Sequence, residues 1–148
     1  MSAVVEELLA KTQTELDALY NASEAGPIPN GEAKGTMIVA PGTRLCAGIA
    51  TLIDALAWQG KLFDAASGTM CNRILPFGLK AVVARVYKAA SWLDQRECIV
   101  LDYSTTSMVA RLVRDEIRLI APNCYLGKAY WSKWRLADFA LEFEVTLR

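Results

Sequence analysis

The residues that could do chemistry in this chain are defined first by what is missing. The sequence has no histidine, and its four cysteines, Cys46, Cys71, Cys98 and Cys124, are far apart with no CxxC pair. That pattern argues against a structural zinc site, a histidine-ligated haem and any histidine-based triad, and predicts reduced thiols, no metal and no cofactor. Acid–base work then falls to Asp, Glu, Tyr, Lys or Arg. Asp115 is the sharpest candidate. In the run VRDEIRLIA it alternates with Val113, Ile117 and Leu119, while Arg114, Glu116 and Arg118 take the other face. Facing Asp115 inward buries one charge, whereas the opposite orientation buries three, so the sequence predicts an inward carboxylate. Burial would raise its pKa unless a cation compensates.

Other polar groups fall on apolar faces in the same way. Tyr103 shares a face with Ile99 and Leu101, Asn72 lies between Met70 and Ile74, and Arg85 lies between Val83 and Tyr87. An apolar pocket with a few convergent polar groups is what a small-molecule site needs. Asp115 and Tyr103 are therefore the candidate catalytic pair, and Arg85, Asn72, Tyr87, Trp58 and Tyr125 the candidate ligand-binding residues. Each has a plainer reading. Asp115 could serve a structural ion pair with Arg85 or Arg114, Tyr103 could be an amphipathic core residue, and the tryptophans could be core or rim packing. The Thr105–Ser107 cluster has no base beside it to make a nucleophile.

The elements that must position these groups follow from periodicity. Val4, Val5, Leu8, Leu9, Leu16, Leu19 and Tyr20 predict a helix over Ala3–Asn21, with Ser2 as its cap. Residues 22–35 are rich in Gly, Pro and Asn and read as a loop. Thr36–Ala40 is a short β-type run, and Leu45, Ile49, Leu52, Ile53 and Leu56 mark a second helix over Thr43–Trp58. Near Gly60 the period changes from 3.6 to 2. Lys61–Ala65 and Thr69–Leu75 form a hairpin, followed by strands over Leu79–Lys88, Cys98–Tyr103, Val113–Ala121 and Cys124–Trp131. In the last strand Ala137, Phe139, Leu141, Phe143, Val145 and Leu147 face inward, and Asp138, Glu142, Glu144 and Thr146 face water. A helix over Thr106–Ile120 competes with the strand from Val113, because Met108, Val109, Leu112, Val113, Glu116 and Ile117 also make a helical stripe.

Strands at this spacing predict an antiparallel meander, and closure into a barrel removes its edges. The fold expected is α+β, mainly β: one domain over 1–148, helical over 1–59 and an antiparallel barrel over 60–148, with two N-terminal helices covering one end or side. Sixteen Lys+Arg balance sixteen Asp+Glu. That offers no overall basic field for nucleic acid or an anionic membrane. Zero net charge with a mean hydropathy of +0.22 favours self-association, a homodimer included. The first residues carry acids early without a basic leader. The most apolar stretch, Leu45–Trp58, is too short to span a bilayer and contains Asp54. A cytoplasmic protein without a membrane span is expected.

The run WQGKLF (Trp58–Phe63), followed by AVVARVYKAASWLDQRECIVLDYS, RDEIRLIAPNCYLGKAYW and a closing aromatic strand, resembles the lipocalin-like small β-barrels. The resemblance covers about the last two thirds of the chain. It departs at the start, where two helices stand before the first strand instead of a Gly-x-Trp strand. It implies a barrel cavity for an apolar molecule. With inward polar groups, that cavity suits a cofactor-independent isomerase, cyclase or lyase. The alternatives are a non-catalytic carrier or sensor of a lipid-like ligand, and a fully packed barrel with no ligand.

Overall fold

The computed structural model describes residues 2–38, 58–74, 79–108 and 110–144. Eight strands close into an antiparallel barrel in sequence order: β1 (Gly31–Ile38), β2 (Trp58–Asp64), β3 (Thr69–Ile74), β4 (Leu79–Ala90), β5 (Glu97–Asp102), β6 (Val113–Ala121), β7 (Cys124–Trp131) and β8 (Trp134–Phe143). Each strand pairs with its chain neighbour, and β1 pairs with β8 from Ala33–Phe143 to Ile38–Asp138. Closure leaves no open sheet edge. Bulky strand residues supply the ladders, and tight turns fix their register. Asn123 and Ser132 accept left-handed φ angles of 58° and 55° in the β6–β7 and β7–β8 turns. This is an α+β, mainly β architecture, an eight-stranded barrel of the lipocalin-like kind in general. No helix among the described residues is long and apolar enough to cross a membrane.

The predicted helix over Ala3–Asn21 is two helices, α1 (Ala3–Leu9) and α2 (Gln13–Ala22). Ser2 caps the first, its hydroxyl accepting from the Val5 N–H. The break has a local cause. Thr12 accepts from the Glu15 N–H while Glu15 accepts from the Thr12 N–H, a reciprocal capping box that starts a new helix. The second predicted helix, over Thr43–Trp58, lies outside the described residues except for Trp58, which opens β2. Strand pairing therefore starts before Lys61. Gly60 allows it, with φ 141° and Ala33 O only 2.1 Å from where a Cβ would stand. β1 likewise starts at Gly31, inside the segment read as a loop. The strand reading of Val113–Ala121 holds, and the rival helix is excluded.

Two cores result. Inside the barrel pack Ala33, Phe63, Met70, Ala84, Val86, Ile99, Leu101, Ile117, Phe139 and Leu141. Against the outer wall, α1 and α2 bring Val5, Leu8, Leu16 and Tyr20 onto Ile38, Cys98, Val100, Cys124, Leu126 and Ala140. The helices thus cover a side of the barrel, and this overturns one expectation about charge. Glu116, Arg118 and Asp138, assigned to the wet face, are buried beneath them. β6 buries charges on both faces, each with a partner. Arg118 forks onto Asp94 at 2.7 Å twice, and Glu116 accepts from Tyr20, Ser91, Arg114 and the Trp92 N–H.

Candidate functional site

Four polar side chains, three from strands and one from just past the end of a fourth, meet inside the barrel. Asp115 projects inward from β6 between Val113 and Ile117, and Tyr103 follows the end of β5 in the phase of Ile99 and Leu101. Asn72 lies on β3 two residues from Met70, and Lys61 on β2 two residues from Phe63. Lys61 Nζ donates to Asn72 Oδ1 at 2.7 Å, to Tyr103 Oη at 2.9 Å and to Asp115 Oδ2 at 2.9 Å. Asn72 Nδ2 donates to Tyr103 Oη at 2.9 Å, and Tyr103 Oη donates to Asp115 Oδ2 at 3.0 Å. The residues are 3 %, 8 %, 1 % and 4 % exposed for Lys61, Asn72, Tyr103 and Asp115, so these contacts are made out of bulk water.

The electrostatics divide the roles. Burial, reinforced by the Asp115 carboxylate, pushes the Tyr103 phenol well above its ordinary value. Tyr103 is thus held neutral as a hydrogen-bond donor, not as a base. The cation beside Asp115 is Lys61, and neither Arg85 nor Arg114 takes that place. The Lys61 ammonium also stands 5.3 Å from the Phe139 ring centre and 5.7 Å from that of Tyr103. Phe139 reaches this position because Gly127 lies beneath it. A Cβ at Gly127 would meet the Phe139 ring at 2.2 Å.

The other predicted residues go elsewhere. Arg85 and Tyr87 are on the outer face of β4, whose inner face is Val82, Ala84 and Val86. Arg85 is exposed over the Tyr87 ring, and the Tyr87 hydroxyl donates to Asp102 at 2.8 Å. Both faces of LKAVVARVYK are apolar enough to point inward, so the alternation could not choose between them. Tyr125 does face inward, but in the layer of Leu119, four residues along the ladder from the Asp115–Ala129 pair, or roughly 13 Å. Its hydroxyl donates to Pro27 O at 2.6 Å. There Tyr125, Leu119 and Phe143 line an open pocket of about 420 Å3 with Pro27, Pro29 and Asn123. Trp58 opens β2, and its side chain is outside the described part of the structure.

Lys61 is the member that the sequence reading missed, although a signal for it existed. The Ser67-Gly68 turn pairs Asp64 with Thr69, and counting back along that hairpin pairs Lys61 with Asn72. Had Asn72 been followed across the ladder, its partner on the inner face would have been a lysine.

The comparisons with known proteins address the fold alone. No protein-family model matches the sequence, and no curated protein matches it. The chain is similar to a crystal structure of a protein from Thermomonospora curvata, with a TM-score of 0.66 and 17 % identity over 95 % of this chain and 96 % of that one. The likeness extends over nearly the whole length of both.

Proposed function

We propose that the barrel binds a small molecule with an apolar body and a carbonyl-type head, and acts on it as a cofactor-independent isomerase, cyclase or lyase. The observation that carries this reading is the tetrad itself, with three donors and one carboxylate converging on the inner wall of an apolar barrel. Proton abstraction beside a carbonyl needs a base at the carbon and donors at the oxygen where charge develops. Asp115 is the base. Lys61, the Asn72 amide and the neutral Tyr103 hydroxyl are the donors. Asp115 takes the proton and returns it to another carbon, so that no outside reactant is consumed. A ligand oxygen would exchange places with contacts the four groups make among themselves.

A second reading is supported by that self-satisfaction. Lys61, Asn72, Tyr103 and Asp115 satisfy one another by mutual hydrogen bonds. A non-catalytic carrier of a lipid-like molecule needs only such a polar anchor on an apolar wall. Conversion of β,γ-unsaturated ketones to their conjugated isomers, followed by absorbance, separates the two readings. The enzyme reading expects turnover by the wild type and a loss of about 10²- to 10⁴-fold in Asp115→Asn, the usual contribution of a general base. Saturable ketone binding with no turnover would favour the carrier.

A further inference from the structure

One end of the barrel carries an exposed apolar and basic rim that the inner tetrad does not use. The β7–β8 hairpin ends in Trp131-Ser132-Lys133-Trp134, with Trp131 41 % and Trp134 76 % exposed. The β5–β6 connection stands beside it, with Met108 94 % and Leu112 46 % exposed. The two are joined, since the Ser132 N–H donates to Leu112 O at 2.8 Å and Val113 pairs with Trp131. The Thr106 hydroxyl further ties the connection to Val83 O. Arg111 and Lys133 are exposed within this rim. No acid occurs from Tyr103 to Arg114 or from Trp131 to Ala137. The nearest carboxylate, Asp102, accepts from the Tyr87 hydroxyl and the Ser104 N–H. A chain of zero net charge therefore presents a local patch of cations and large apolar side chains at its loop tips.

We propose that this rim docks the protein onto an anionic lipid surface. Trp131, Trp134, Met108 and Leu112 enter the headgroup region, and Arg111 and Lys133 meet the lipid anions. Tryptophan suits that depth because its ring is apolar and its N–H polar. Apolar insertion combined with paired cations gives reversible attachment, selective for anionic lipid and weakened by salt. The absence of acids on the hairpin tip favours an anionic surface over a second copy of this chain, whose identical cations would face their own.

Co-sedimentation of the full chain with phosphatidylcholine vesicles, with and without phosphatidylserine, tests the proposal independently of any barrel ligand. The expected result is binding to the serine-lipid vesicles that declines as salt is raised. Trp134→Ser combined with Met108→Ser should abolish it, and Lys133→Ala alone should weaken it about fivefold, the equivalent of one surface cation. All three side chains are exposed, so the variants should unfold at the wild-type temperature. No binding to anionic vesicles, or equal binding with and without phosphatidylserine, would overturn the proposal. So would size-exclusion chromatography in which the double substitution converts a dimer to a monomer, because the rim would then belong to a second copy.

Discussion

Lys61 and Asp115 form a buried ion pair, and removing one member leaves the other charge uncompensated. Lys61→Met is therefore expected to lower stability by about 3–5 kcal/mol in urea unfolding, and the paired change with Asp115→Leu by clearly less. A loss in the double variant equal to the sum of the two single losses would mean that the two charges are not coupled. Tyr103→Phe is milder. It takes an acceptor from Lys61 and Asn72 and a donor from Asp115, for about 1–3 kcal/mol. At this scale the sequence was legible where alternation was one-sided. Val113, Ile117 and Leu119 could only face a core, and Asp115 had to go with them. It was illegible on β4, where Val82, Ala84 and Val86 compete with Val83 and Tyr87 for the inward face, and Arg85 was assigned to the wrong one. The number of charges on each face of β6 does not by itself decide which face is buried. Glu116 and Arg118 are as buried as Asp115, because hydrogen bonds from Tyr20 and Ser91 to Glu116, and from Arg118 to Asp94, make that burial tolerable.

Elements come together through two contacts that leave little room. Phe139 on β8 lies over Gly127 on β7, and Gly127→Ala should destabilise the barrel by about 1–3 kcal/mol, because the ring must give way to the added methyl. Restoration by Gly127→Ala with Phe139→Leu would show that the ring is the cause, whereas an unchanged midpoint for Gly127→Ala alone would contradict the packing. On the outer wall, α2 is held by Arg118, which donates to Tyr20 O and sits 4.4 Å from the Tyr20 ring centre. The strand region was readable because period 2 with tight turns has few alternatives, and β6 and β7 keep the predicted bounds. The helical start was harder. The apolar stripe skips from Leu9 to Leu16 with only Ala10 between, a gap that a single helix spanning both halves passes over, and the Thr12–Glu15 pair marks the interruption. Nothing in β8 alone could show that Asp138 lies under a helix, since that depends on where α2 packs.

For the whole molecule, burial of neutral acids sets the pH range of stability. Burial pushes the Cys98 and Tyr130 groups up to about 12 and the Cys124 thiol up to about 11, and raises Tyr20 and Tyr103 as well. These groups give up their protons more readily when the chain unfolds. Their contribution is complete below the ordinary thiol value of 9.0 and falls as pH rises toward about 12. The unfolding temperature should decline steadily across that window, and a flat profile through it would contradict the burial described. The fold as a whole was legible because closing a meander of short strands is the general way to remove its edges. The outer polar networks were not, since they join residues as far apart as Asp17 and Lys128. The proposed function requires that the inner tetrad receive a ligand. Nuclear magnetic resonance titration of isotope-labelled protein with an apolar phenol, whose oxygen mimics an enolate, tests it most directly. Saturable shifts at Lys61, Asn72, Tyr103 and Asp115 that are lost in Tyr103→Phe are expected; shifts confined to the exposed tryptophans, or unchanged in that variant, would contradict a ligand at the tetrad.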